Sequence, residues 1–141
     1  MKISARNQLK GIVSEVTKGA VNGIVKIDLG GAVITADITM GAIADLELTE
    51  GKPVTAIIKA SNVMFGVGAE AARGISARNI LVGTIVGIEE GAVNGHVKLE
   101  LASGGFITGS ITNAAIQDLG LCEGKPAMAI VKSTDVIVGL E

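Results

Sequence analysis

Apolar and polar residues alternate with a period of two along most of the chain, and this pattern predicts β-strands rather than helices. The clearest break follows Thr39, whose hydroxyl is typical of a helix N-cap, so residues 40–46 are predicted to form one short helix with Ile43 and Leu46 facing inwards. Gly30 and Gly31 predict a tight hairpin turn before the third strand. In the first half of the chain the predicted strands span residues 10–17, 21–29, 33–39, 53–60 and 63–67.

The whole pattern occurs twice. The segment Ile-Ser-Ala-Arg-Asn at residues 3–7 recurs at 75–79, and Gly-Ala-Val-Asn-Gly at 19–23 recurs at 91–95. After one extra residue near 103–105, the register shifts by one and Glu-Gly-Lys-Pro at 50–53 recurs at 123–126. An internal duplication of this length indicates two copies of one structural unit.

The fold class expected from this pattern is all-β, with two tandem OB-like β-barrel modules, each of about five strands and one short helix. A short Gly- and Ala-rich stretch between the repeats is typical of a linker. The predicted boundaries are 1–67 for the first module, 68–73 for the linker and 74–141 for the second module.

Composition narrows the function classes. The 141 residues carry 12 Lys and Arg against 14 Asp and Glu, for a net charge of −2, and include two Phe but no Tyr or Trp. An OB module that binds nucleic acid needs a basic groove with aromatic stacking platforms, so that alternative is disfavoured. No apolar run is long enough to span a bilayer and no leader precedes the first repeat, so we expect no membrane partner and a cytoplasmic location. A small chain with an aliphatic core and 20 Gly also favours an oligomer.

Residues that could support catalysis are scarce. His96 and Cys122 each occur once and align with Ile24 and Thr49 in the other repeat, so neither is shared by the two copies. Asp37 aligns with Ser110, which excludes a carboxylate pair common to both modules. The sequence therefore predicts a protein that is not an enzyme, with no cofactor and no metal ion coordinated by side chains.

Both repeats retain a set of residues suited to holding a small anion. Arg and Lys supply charge, Ser and Thr supply hydroxyl donors, and neighbouring Ala residues leave backbone N–H groups accessible. The alternative is that the cations are solvated charges at strand ends. The shared residues are Ser4, Arg6, Thr39 and Lys59 in the first repeat and Ser76, Arg78, Thr112 and Lys132 in the second.

The paired Ile-Ser-Ala-Arg-Asn-x-Leu-x-Gly openings, the Gly-Ala-Val-Asn loops, and the endings Lys-Ala-Ser-Asn-Val at 59–63 and Lys-Ser-Thr-Asp-Val at 132–136 resemble molybdate-binding Mop modules of the TOBE type. Two such modules in tandem resemble the di-domain molbindins. The resemblance covers essentially the whole chain and implies cytoplasmic storage and homeostasis of molybdate or tungstate. It also implies a homo-oligomer, a trimer for the two-module form, with anions held between modules and subunits.

The resemblance implies two kinds of oxyanion site. The second kind would lie near a three-fold axis; on the residues alone, its Gly-Ala-Val-Asn loop could equally be an ordinary hairpin connection. Ala60 aligns with Ser133, so the first-repeat site would lack one hydroxyl donor. The first kind maps onto Ser4, Ala5, Arg6, Thr39, Lys59 and Ala60, and onto Ser76, Ala77, Arg78, Thr112, Lys132 and Ser133. The second kind maps onto Ala20, Val21, Asn22, Ala92, Val93 and Asn94.

One functional alternative uses the same anion differently. The chain could act as a molybdate-sensing or delivery partner that docks onto another protein instead of storing the anion. The sequence shows no ATPase or DNA-binding segment, which favours storage without excluding a signalling role.

Overall fold

A computed structural model describes residues 2–68 and 73–140 of the chain. The predicted all-β class is confirmed, because each half contains five strands and one short α-helix that follows its third strand. The part of the predicted linker at 69–72 lies outside the described residues. The elements are β1 (Asn7–Lys18), β2 (Asn22–Asp28), β3 (Val33–Thr39), α1 (Met40–Asp45), β4 (Pro53–Ile58), β5 (Met64–Gly66), β6 (Asn79–Glu90), β7 (Asn94–Leu101), β8 (Phe106–Thr112), α2 (Asn113–Asp118), β9 (Pro126–Val131) and β10 (Ile137–Gly139).

Two antiparallel five-stranded sheets form the molecule, and each is completed by the last strand of the other repeat. The strand orders are β10-β4-β1-β2-β3 and β5-β9-β6-β7-β8. Thus β5, which belongs to the first repeat in sequence, pairs with β9, while β10 pairs with β4. The repeat boundaries in the sequence therefore do not divide the chain into two separate sheets in space.

The long strands β1 and β6 bend to serve two neighbours. The first part of β1 pairs with β4 and its second part pairs with β2, with a bulge between Val13 and Glu15. A matching bulge lies between Ile85 and Gly87 in β6. Bulges increase local twist and bend a strand, which lets each sheet curl towards a barrel.

Local sequence signals account for the turns and the helices. Gly30 and Gly31 have φ values of 87° and 121°, which residues with a Cβ rarely adopt, and they connect β2 to β3. Thr39 caps α1 as predicted, because its Oγ1 accepts a hydrogen bond from the Ala42 N–H at 3.1 Å. The helix is one residue shorter than predicted, since Leu46 is its C-cap.

The core is continuous through both halves and consists of aliphatic side chains together with the ring of Phe65. Alternate residues of β2, β3, β7 and β8 point inwards, as the fully buried Val25, Ile27, Ile34, Val97 and Leu99 illustrate, whereas β4 and β9 are buried along nearly their whole length. Among the described residues, no helix is long and apolar enough to cross a membrane.

Candidate functional site

One cleft in the second half collects most of the predicted anion-binding residues of that repeat. Ser76, Ala77 and Arg78 approach from the segment before β6, while Lys132 and Ser133 follow the end of β9. The cleft has a volume of about 620 Å³ and is also lined by Met64 and Phe65 of β5. Strand β5 belongs to the first repeat, so both repeats build this cleft.

The first half contains the equivalent cleft. Ser4, Ala5 and Arg6 lie opposite Lys59 and Ala60 around a volume of about 370 Å³. Ile137 of β10 lines it, so the second repeat contributes to this cleft in turn. The exchange of the last strands therefore makes each cleft dependent on both repeats.

Thr39 and Thr112 do not line either cleft. Both cap their helices, and Thr39 pairs across β2 with Asn22 while the Met40 N–H donates to the Val21 carbonyl at 2.8 Å. In the second half Thr112 pairs with Asn94 in the same way. Within one chain the structure thus groups each threonine with the predicted residues of the second kind of site.

The predicted residues of the second kind lie on the exposed connections between the first two strands of each half. These are Ala20, Val21 and Asn22 after β1, and Ala92, Val93 and Asn94 after β6. Val21 and Val93 are 75% and 71% exposed, which is unusual for valine. The loops also follow the hairpin geometry that was the alternative interpretation.

Asn7 and Asn79 organise the clefts, a role that their place in the repeated motif does not predict. The Asn7 side chain donates to the Thr108 carbonyl at 2.8 Å and to the Ile58 carbonyl at 3.1 Å, and it accepts from the Thr108 N–H at 2.7 Å. Asn7 directly follows Arg6, so its side chain links this segment to Ile58, the residue before Lys59, and to the edge strand β8.

Asn79 forms the reciprocal contact in the other direction. Its side chain accepts from the Thr35 N–H at 2.7 Å and donates to the Thr35 carbonyl at 2.9 Å. Both asparagines are almost completely buried. Recurrence of Asn immediately after each Arg was the signal in the sequence that could have identified this pair.

The cations of the clefts are available for a ligand. Within the described residues, Arg6, Arg78, Lys59 and Lys132 form no ion pair and no hydrogen bond through their side chains. An anion entering either cleft would therefore not need to displace a carboxylate. Planar guanidinium and mobile ammonium groups are the donors that proteins use for oxyanions.

Exposed aliphatic side chains surround the charged residues. Ile3 and Ile137 beside the first cleft are 45% and 55% exposed, and Ile75 and Met64 beside the second are 45% and 47% exposed. Large apolar side chains clustered around a polar cleft are typical of a surface that another molecule covers.

Other chemistry has little basis among the described residues. Those residues contain no group of three or more His, Cys, Asp and Glu side chains placed to hold a metal ion. Cys122 is an exposed free thiol, and His96 is half-buried on β7.

Comparison with known proteins identifies both repeats. Residues 3–65 and 75–138 each match the TOBE domain. A solved structure of the cytoplasmic molybdate-binding protein ModG, with molybdate bound, superposes with a TM-score of 0.95 and is 45% identical, covering 100% of both chains.

Curated relatives carry names related to molybdenum. The molybdenum transport protein ModE of Azotobacter vinelandii is 41% identical over 141 residues, which are 99% of this chain and 52% of ModE. A probable molybdenum-pterin-binding protein of Haemophilus influenzae is 53% identical over 68 residues, which are 48% of this chain and 99% of that protein. The chain spans about half the length of the curated relatives, such as ModE, that it matches along almost its whole length.

Proposed function

The chain belongs to the TOBE-domain family, and from this membership we propose that it binds molybdate or tungstate reversibly for storage and homeostasis. The observation that carries the proposal is the pair of clefts in which Arg, Lys, Ser and small residues converge with their cations unpaired. ModG, described as a cytoplasmic molybdate-binding protein, matches the chain over its full length, which supports both the ligand and a cytoplasmic role.

The chemistry of holding the anion follows from the donors. A tetrahedral dianion would accept charge-assisted hydrogen bonds from Arg78 and Lys132, and neutral hydrogen bonds from the hydroxyls and N–H groups beside them. No bond to the metal forms, so the anion is released unchanged. This is binding rather than catalysis, in agreement with relatives whose names describe binding and transport.

We propose that the functional assembly is a homotrimer. The threonines of the first kind of site lie away from the clefts of their own chain, so a neighbouring chain would have to supply them. Because the Thr39 oxygen accepts from the helix N–H, its own hydroxyl hydrogen stays free to donate to an anion. The apolar side chains around each cleft would then be covered, and exclusion of water would strengthen the hydrogen bonds.

Calorimetric titration of molybdate is the direct test. We expect saturable binding of several anions per oligomer, without displacement by equal concentrations of sulfate or phosphate, and a mass of three chains by light scattering. Protein concentration has to come from amino-acid analysis, because the chain contains no Trp or Tyr. Absence of heat from both molybdate and tungstate, with protein shown to be free of bound metal, would overturn the proposal.

Substituting Arg78→Ala tests the assignment of the second-half cleft. The change removes a charge-assisted donor, which contributes about 1.5–3 kcal/mol, so we expect affinity at this cleft to fall about tenfold to a hundredfold. The matched control is Lys26→Ala, which removes a cation that is paired with Glu15 at 3.3 Å on the outside of the other sheet. Unchanged stoichiometry and affinity in Arg78→Ala would reject this cleft as a site.

Position 60 tests whether the two clefts differ through one hydroxyl. Ala60 and Ser133 each begin a short 3₁₀ turn, Ala60–Asn62 and Ser133–Asp135, with closely similar backbone geometry on both sides. We expect Ala60→Ser to tighten molybdate binding at the first cleft about twofold to tenfold, and Ser133→Ala to weaken the second by a similar factor. Equal affinities in all three proteins would show that the hydroxyl does not contact the anion.

A further inference from the structure

Besides the two clefts, an outer cavity lies on the solvent-facing side of the second sheet and collects basic side chains from both halves of the chain. It has a volume of about 310 Å³ and is lined by Arg6, Gly87, Glu89, His96, Lys98 and Thr108. Arg6 comes from the segment before β1, whereas the other five residues lie on β6, β7 and β8. Arg6 also lines the first cleft, so it forms a wall between the two spaces.

The register of the sheet explains how these side chains meet. Gly87, Lys98 and Thr108 face one another across three adjacent strands, and Glu89 and His96 form the next pair along β6 and β7. Since residues two apart in a strand share a face, all five point to the same side. Asn7 holds Arg6 against this face, because its side chain is bonded to the backbone of Thr108.

The pseudo-equivalent place in the first half is built differently. There, Glu15 stands where the second half has Gly87, and its carboxylate pairs with Lys26 at 3.3 Å. Ile24 stands where the second half has His96. At equivalent positions, the first copy therefore has an ion pair and an aliphatic residue, whereas the second copy has Lys98 and His96 without an ion-pair partner in the part of the chain that the structure describes.

Most charged side chains around the outer cavity have no hydrogen-bond or ion-pair partner among the described residues. Arg6, His96 and Glu89 form no ion pair or hydrogen bond through their side chains. The Lys98 ammonium lies over the Phe106 ring, 4.4 Å from its centroid, which leaves its N–H groups available to a ligand. Thr108 adds a neutral hydroxyl donor.

We propose that Arg6, His96, Lys98 and Thr108 form an additional binding site for a divalent oxyanion, beside the first molybdate cleft, with which it shares Arg6. The site exists only in the second sheet, because Gly87 frees Lys98 from the carboxylate that neutralises Lys26 in the first sheet. His96 contributes an imidazole N–H donor beside the two cations. The charged groups that face His96 are Glu89 on β6, Lys98 on its own strand and Arg6.

The single histidine makes this site directly observable. Sulfate is a suitable probe because it is a tetrahedral dianion at neutral pH. We expect the NMR signals of the His96 ring and the backbone amide signals of Lys98 and Thr108 to shift saturably with sulfate, with a dissociation constant in the millimolar range, as is usual for exposed charges.

Two substitutions copy the first sheet into the second and serve as matched variants. Gly87→Glu places a carboxylate opposite Lys98, as Glu15 lies opposite Lys26 in the first sheet. The new Cβ would lie 3.7 Å from the Lys98 Cβ, an ordinary contact, so the strand should accept it. His96→Ile removes the imidazole donor. We expect Gly87→Glu to weaken sulfate binding at least fivefold, and His96→Ile, which removes one donor, to weaken it about twofold to tenfold, both followed at the Lys98 and Thr108 amides. Both variants should keep the molybdate stoichiometry of the unmodified protein.

Several outcomes would overturn the additional site. Signals that do not respond to sulfate would leave this cavity as a solvated sheet face. Shifts confined to Ser4 and Ala5 would place the anion in the first cleft, and equal sulfate affinity in Gly87→Glu would show that Lys98 does not bind it. Because the readout is sulfate at His96, failure here is distinguishable from failure of molybdate binding in the clefts.

Discussion

Replacing Asn7 and Asn79 together by alanine is expected to abolish most of the stability of the fold. Each side chain supplies the hydrogen-bond partners for the backbone of a strand in the other half, Thr108 in β8 and Thr35 in β3. Loss of each pair leaves buried backbone groups unsatisfied, at a cost of about 1–3 kcal/mol per group. We expect a loss of about 3 kcal/mol for each single variant and roughly 6 kcal/mol for both, which approaches the total stability of many small domains.

Urea denaturation followed by far-ultraviolet circular dichroism measures this effect without aromatic residues. Asn62→Ala is the matched control, since no hydrogen bond of its side chain is present in the structure, and it should change the free energy of unfolding by less than about 0.5 kcal/mol. If the free energy of unfolding of the double variant lay within about 1 kcal/mol of that of the unmodified protein, the hydrogen bonds of Asn7 and Asn79 between the two halves would contribute little to stability.

The clefts should respond to the same substitutions. Asn7 contacts Ile58 and Thr108, so its removal loosens both the segment with Arg6 and the strand end before Lys59. These two cations face each other across the first cleft. The Asn recurring after each Arg thus links stability to anion binding, whereas its place in the repeated motif alone could not show which contact it makes.

The strands, turns and helix caps could be predicted from the sequence because they depend on neighbouring residues. Alternation of apolar residues predicted the strands, and Thr39 ahead of a short apolar segment predicted α1. The pairing of β5 with β9 could not be predicted in this way. The apolar pattern of Met64 and Phe65 is the same whichever sheet the strand joins, and the choice depends on residues far along the chain.

The candidate site divides along the same line. Repetition of residue types identified Arg6, Lys59 and Ser4, and the structure brings these three together. The same reasoning grouped Thr39 with them. Thr39 instead lies at the end of β3, where its hydroxyl caps α1, and it does not line the first cleft. Repetition indicates which residues are shared by two modules; it does not indicate which of them meet within one chain.

Substituting Gly109→Ala is expected to destabilise the protein through overpacking, and a second substitution should reverse the effect. A Cβ at Gly109 would collide with the ring of Phe65, whose Cζ is 2.8 Å from the ideal Cβ position, and would lie 3.1 Å from the Val63 Cβ. Both partners are buried, so the ring has little room to move, and we expect a loss of about 2–3 kcal/mol. Thermal and urea denaturation of the single variant would measure it.

The chain itself indicates the compensating change. The residues equivalent to Gly109 and Phe65 in the other sheet are Ala36 and Val138, a larger residue facing a smaller one. We therefore expect the free energy of unfolding of the double variant, Gly109→Ala with Phe65→Val, to lie within about 1 kcal/mol of that of the unmodified protein. The coupling energy between the two changes should be about 2 kcal/mol. Additive losses would show that the two positions do not pack as a pair.

This complementarity also explains why the last strands are exchanged. If β5 instead paired within the sheet of its own repeat, the Phe65 ring would meet Ala36, whose methyl group occupies the space that Gly109 leaves open. Because the glycine that accommodates Phe65 lies in the second sheet, the exchanged pairing avoids an overpacked core. The exchange brings Met64 and Phe65 to the second cleft and Ile137 to the first, so the same packing choice that orders the core also completes the two clefts.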